Sequence, residues 1–189
     1  MKRRLIIGIS GATGIPIAIE LLRQLKKISD IETHLVYTRG AELTLRTECD
    51  VSKEEMHLLA DFVYDNSNIG AKPASGSWDC EGMVVVPCSM KTLAGVHSGY
   101  SDNLLLRAAD VTLKERRKLV LVTRECPLSA IHLRNMYELS QMGAVILPPV
   151  LSYYNHPKSV EDCTRHIVGK VLQQFKLDGE QYKRWEGLE

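Results

Sequence analysis

Hydrophobic positions along the chain follow two rhythms that alternate from one end to the other. Short unbroken runs of Val, Ile and Leu read as strands buried on both faces, the pattern of a parallel sheet. Five such runs stand out: Arg4–Ser10, Glu32–Tyr37, Gly82–Val86, Leu119–Thr123 and Ala144–Leu147. Between them apolar residues recur at helical spacing. That spacing predicts helices over Pro16–Lys27, Ala41–Thr47, Lys53–Ala60, Lys91–His97, Leu104–Arg116, Ile131–Met142 and Val160–Phe175. Ser52 ahead of Glu55, and Ser159 ahead of Asp162, mark helix starts. Strand and helix in alternation predict an α/β fold: a doubly wound, mainly parallel sheet with helices on both faces, Rossmann-like or flavodoxin-like. No internal repeat or low-complexity linker divides the chain, so residues 1–189 read as one domain. Ile69–Trp78 and Pro148–Pro157 are the long irregular connections. The polar tail from about Asp178 is expected to reach over a neighbour.

Composition narrows the class. The chain is 44% apolar and 25% charged, as in ordinary globular proteins. A net charge of +1 offers no electrostatic reason for a nucleic-acid or anionic-membrane partner. No apolar run approaches the roughly 18 residues of a membrane span. Met1-Lys2-Arg3-Arg4 resembles the head of a signal peptide, but the apolar run behind it breaks at Gly11, which leaves the cytoplasm as the expected location. Five scattered cysteines and the lack of any C-x-x-C argue against a disulfide framework or a structural zinc, and no metal is expected.

The chemistry gathers at strand ends, where ligands sit in such sheets. The first strand drops into Ser10-Gly11-Ala12-Thr13-Gly14, with Pro16 opening a helix. A turn of this kind is expected to offer bare N–H groups and a hydroxyl to a phosphate. It lacks the G-x-G-x-x-G spacing, and Tyr37-Thr38-Arg39 stands where an acid would hold a dinucleotide's ribose. No Gly-Lys-Ser/Thr follows, so a P-loop is excluded, and a mononucleotide fits better. Pro87-Cys88-Ser89-Met90-Lys91-Thr92 is a second candidate cradle, in which Ser89 serves either as a plain N-cap or as an anion donor as well. In Pro73-Ala74-Ser75-Gly76-Ser77-Trp78, small residues lead into an aromatic wall.

Taken in order, these segments carry a resemblance. Gly8-x-Ser10-Gly11-Ala12-Thr13-Gly14, Thr47-Glu48, Ala74-Ser75-Gly76-Ser77 and Pro87-Cys88-Ser89-x-Lys91-Thr92-Leu93 are followed by Arg107-Ala108-Ala109-Asp110-Val111-x-Leu113-Lys114-Glu115. Then come Arg124-Glu125-x-Pro127-Leu128, Ile131-His132-Leu133 and Tyr153-Tyr154-Asn155-His156-Pro157. Together they resemble the UbiX/Pad-type flavin prenyltransferases from about residue 3 to Trp185. The close Arg184-Trp185-Glu186-Gly187-Leu188 is most similar to members that accompany hydroxyaryl acid decarboxylases.

The resemblance implies a metal-independent transfer of a dimethylallyl group from dimethylallyl phosphate to N5 and C6 of reduced FMN. It implies a UbiD-type decarboxylase as recipient of the prenylated FMN, and a homo-oligomer, commonly a dodecamer, with sites between subunits. It matches Gly11, Ala12, Thr13, Thr38, Ser89, Met90, Lys91, Thr92 and Arg124 to FMN binding. Arg107, Lys114, Arg124, Tyr154 and Lys170 match the donor phosphate site, and Glu48, Lys114, Glu125 and Tyr154 the catalytic groups. Trp78 is the candidate aromatic face for an allyl cation. Each has a plainer role beside it. Lys114 also suits a solvated helix end, Glu48 an exposed helix position, Tyr154 packing beside Pro157, and Arg124-Glu125 a surface ion pair. Cys88 reads as a small buried apolar residue and His132 as a structural histidine. Two rival functions are an FMN-dependent cysteine-type decarboxylase, whose Pro-Ala-Ser-Ala-Asn-Thr loop is not matched here, and a non-catalytic flavin-carrying subunit of a decarboxylase complex.

Overall fold

The computed structural model describes residues 2–185 and 187. Six strands form one parallel sheet: β1 (Arg3–Ile9), β2 (Ile31–Tyr37), β3 (Phe62–Tyr64), β4 (Gly82–Cys88), β5 (Lys118–Thr123) and β6 (Val145–Ile146), in the order β3-β2-β1-β4-β5-β6. Seven helices cover it: α1 (Ile15–Lys26), α2 (Arg39–Glu48), α3 (Lys53–Leu58), α4 (Met90–His97), α5 (Leu104–Lys114), α6 (Ala130–Gln141) and α7 (Val160–Gln174). All five expected strands and all seven expected helices are present, with no end moved by more than two residues. The sheet gains β3, which the hydrophobic pattern did not reveal.

Alternation along each strand sends side chains to opposite faces. Leu5, Ile7 and Ile9 of β1, with Val84 and Val86 of β4 and Val120 and Val122 of β5, pack under α1, α2 and α7. Ile6, Met83, Val85, Leu119 and Leu121 face the other way, under α4, α5 and α6. Burial on both faces is why these runs are continuously apolar. Ser52 and Glu55 form a reciprocal capping box on α3, and the Ser159 side chain accepts from the Asp162 N–H at the start of α7.

The order of the strands reverses direction between β1 and β4. In an open α/β sheet the crevice at such a reversal, beyond the strands' carboxyl ends, is where ligands bind. Among the described residues, no helix is long and apolar enough to cross a membrane.

The tail does not extend away from its own chain. Glu180 pairs with Lys27 at 2.8 Å, its N–H donates to the Gln24 side chain at 2.9 Å, and Trp185 lies edge-on to Tyr154. Within the chain the tail packs on α1 and α7. Glu186 and Leu188 of the closing motif, like Met1, lie outside the described residues.

Candidate functional site

The crevice is built around Ser10. Its hydroxyl donates to the Pro87 carbonyl at 2.9 Å and accepts from the Ser89 N–H at 2.8 Å, and its own N–H donates to the same carbonyl. One buried side chain thereby ties the end of β1 to the start of α4. Beside it, Gly11 meets Gly40 backbone to backbone. A Cβ on Gly11 would fall 2.9 Å from the Gly40 Cα, so the turn after β1 and the first turn of α2 can touch only because both residues lack side chains.

Two helices open here. Thr38 caps α2 by accepting from the Ala41 N–H at 3.1 Å. Ser89 caps α4 by accepting from the Thr92 N–H at 3.3 Å, while its hydroxyl donates to Thr92 Oγ1 at 3.1 Å. Each cap leaves the remaining first-turn N–H groups, with the positive end of the dipole, available to an anion. A cavity of about 690 Å³ spans the two helix starts, and Gly11, Thr38, Gly40, Ser89, Lys91 and Thr92 line it. That volume suits a cofactor-sized molecule. Ser89 is therefore both an N-cap and a lining residue.

One expectation needs correction. The start of α1 does not present bare N–H groups. The Glu48 carboxylate, at the end of α2, accepts from the N–H of Gly14 at 2.9 Å and of Ile15 at 3.0 Å, and Thr13 Oγ1 also bonds to it. A carboxylate at a helix N-terminus satisfies the orphan donors and complements the dipole. Glu48 is a half-buried tie between loops, not a freely exposed helix residue. Ala12 and Thr13 do not line the cavity, and Met90 turns toward the core under α4.

The loop after β5 reaches the same edge, where the Arg124 N–H donates to the Cys88 carbonyl at 3.0 Å. Arg124 and Glu125 are both exposed there. The Glu125 carboxylate accepts from the Cys126 N–H at 3.0 Å. Cys88 is fully buried, and burial pushes its thiol up to about 12, so it is an inert packing residue. His132 completes a capping box with Ser129 on α6 and is structural, as its sequence context suggested.

The other site residues are not gathered at this crevice within one chain. Helix α5 starts near the cavity, where Leu104 and Leu105 bond to Asn66, and runs against the strand direction. At 1.5 Å per residue its 11 residues span about 16 Å, which carries Lys114 to the opposite edge of the sheet. Lys114 is half-exposed and pairs with Glu115. Trp78 lies at the same amino edge, half-buried, edge-on to His34 and beneath the Arg4 guanidinium. Arg107, one turn into α5, pairs with Asp110 at 2.6 Å.

Tyr154 and Lys170 form a third group, on the outer side of α7. Tyr154 meets His166 edge-on with centroids 5.7 Å apart, and Lys170 lies over the Tyr182 ring. A hydrogen bond with Tyr182 holds the Lys170 ammonium above its ordinary value, while burial and then Lys170 itself push His166 below. Sequence reading missed Ser10 as the joint and Gly40 as the partner of Gly11. The only signal for either was its position at a strand end.

A doubly wound sheet with two capped helix starts facing one cavity at its switch point defines a protein built to hold a small phosphorylated ligand. The Flavoprotein family model matches residues 1–174, and the chain belongs to that family. Within it the likeness is to the UbiX-like flavin prenyltransferases. The chain is 52% identical over 184 residues, 97% of each protein, to a probable UbiX-like flavin prenyltransferase of Sedimentibacter hydroxybenzoicus. Its fold superposes with a TM-score of 0.97 on AnUbiX (PadA1) in complex with FMN and dimethylallyl pyrophosphate, at 48% identity and with all of both chains covered. It superposes with a TM-score of 0.96 on a dodecameric FMN-dependent UbiX-like decarboxylase from Escherichia coli O157:H7, at 49% identity over 97% of this chain and 100% of that one.

Proposed function

We propose that the protein is a flavin prenyltransferase that joins a dimethylallyl group to N5 and C6 of reduced FMN. The cavity between the capped starts of α2 and α4 carries this reading, because its volume of about 690 Å³ suits a molecule the size of flavin mononucleotide. The first-turn N–H groups and the Thr38, Ser89 and Thr92 hydroxyls would hold the FMN phosphate, with Arg124 adding charge. The close approach of Gly11 to Gly40 holds the two sides of this cradle together. The bound flavin supplies the nucleophilic atoms.

The chain's own task is to lower the cost of breaking an allylic C–O bond. Lys114, Arg107, Arg124, Tyr154 and Lys170 give the donor phosphate cations and a phenol where negative charge develops. Lys170 contributes a point charge where Arg's fork would give two bonds. Trp78 offers an aromatic face to the allyl cation and keeps water away from it. Glu125 takes a proton, and Glu48, fixed to the first turn by two N–H groups, keeps that turn in shape.

Since Lys114 and the Tyr154–Lys170 pair stand on separate sides of one chain, the complete site forms where copies meet, in a homo-oligomer of the dodecameric kind. The product serves a UbiD-type decarboxylase, and the enzyme works in the cytoplasm. A cysteine-type decarboxylase is disfavoured because Ser77-Trp78 stands where that chemistry uses Asn-Thr. A non-catalytic flavin carrier would bind FMN and leave it unaltered. Lys114→Met and Tyr154→Phe are expected to lower prenylation roughly a hundredfold while FMN binding stays within twofold. Unchanged turnover in both would remove the donor site from this reading.

A further inference from the structure

Loop Pro73–Trp78 and the end of α5 meet at the amino edge of the sheet, and one side chain fastens them together. The Arg117 guanidinium donates to the Gly76 carbonyl at 2.7 Å and to the Trp78 carbonyl at 3.0 Å, and it lies 3.6 Å from Cys80 Sγ. Its own N–H is fixed to the Thr112 carbonyl of α5 at 2.9 Å. At Gly76 the loop passes so close to α5 that a Cβ would run into the Glu115 carboxylate and come within 2.8 Å of the Lys114 ammonium. Beyond the clamp, the Trp78 ring is braced by His34, 4.6 Å away and 80° inclined, and by the Arg4 guanidinium 5.5 Å from its centroid.

We propose that Arg117 is a positioning residue, whose two-pronged hold on Gly76 and Trp78 locks the Trp78 indole and the Lys114 ammonium into one rigid corner presented to the prenyl donor as a unit. The proposal rests on the reading above, in which Lys114 grips the donor phosphate. Arginine is required because only its planar fork reaches two carbonyls at once, whereas a lysine would hold one. A loose corner misplaces an aromatic face and a cation together, and misplacement by about 1 Å costs on the order of a hundredfold in rate. The flavin cradle, at the other end of the sheet, is untouched.

The test uses the full-length enzyme with Arg117→Ala and Arg117→Lys. Donor kinetics, FMN affinity and backbone hydrogen exchange are measured together. Arg117→Ala is expected to lower kcat/KM for dimethylallyl phosphate roughly a hundredfold, with FMN affinity within twofold. Faster exchange is expected only across residues 74–80 and the end of α5, with part of the activity returned by added methylguanidinium. Arg117→Lys is expected to fall between this variant and the parent. Donor kinetics within twofold of the parent, or equal losses of FMN affinity and protection across the whole chain with no return on methylguanidinium, would overturn the proposal. A parent enzyme that leaves FMN unprenylated would instead overturn the reading beneath it, while local exchange would still report whether Arg117 clamps the loop.

Discussion

His34 shows how a polar residue survives at the centre of a sheet face. It is 1% exposed, and both ring nitrogens are engaged, with Tyr64 and Glu32 each 2.9 Å away. The tautomer that satisfies both accepts from the Tyr64 hydroxyl and donates to Glu32, which also receives Arg4 at 3.2 Å. Burial pushes the His34 pKa below its ordinary value, against the pull of Glu32. The unfolded chain therefore binds the proton more readily than the folded one, so stability rises with pH. This contribution is complete above about pH 6.5 and is lost as pH falls from there toward the depressed folded value. Urea unfolding is expected to show lower stability at pH 5.5 than at pH 7.5, and His34→Gln should flatten that slope, leaving the share that belongs to His166. An unchanged slope in the variant would contradict the assignment. At this scale the sequence showed which residue types stand at the strand ends but not what they touch. Glu48 and Thr13 are 35 positions apart, so the tie between them exists only once α2 has folded back beside α1.

Local signals made the helices legible. Ser52 with Glu55, and Ser159 with Asp162, sit where the caps are, and long apolar periodicities fill the intervals between them. Strand β3 escaped because it is three residues long, stands at the sheet edge and exposes Phe62 and Val63, so neither burial nor length marks it. Helix α4 carries the element-scale prediction. Ser89→Ala removes the acceptor for the Thr92 N–H and the hydroxyl that orients Thr92 Oγ1 beside the cavity. It is expected to cost about 1 kcal/mol in unfolding free energy and to weaken FMN binding in a titration. A loss of stability with full FMN affinity would reduce Ser89 to a cap alone.

In the whole molecule, the cavity at the starts of α2 and α4 lies at one edge of the sheet, Lys114 with Trp78 at the other, and Tyr154 with Lys170 on the flank of α7. Motif order along the chain could not reveal this separation, because it depends on the direction in which α5 runs. A site drawn from several copies predicts complementation. Lys114→Met and Arg124→Ala, each nearly inactive alone, should regain measurable prenylation when co-expressed, since a mixed assembly contains some sites with both residues intact. A mixture no more active than its parts would mean that each chain carries its whole site. The most direct measurement is simpler still. The purified protein is incubated without oxygen with reduced FMN and dimethylallyl phosphate, and the flavin is then extracted and weighed by mass spectrometry. A gain of one dimethylallyl unit, with a shifted flavin spectrum, is the predicted result, and FMN recovered unaltered would contradict it.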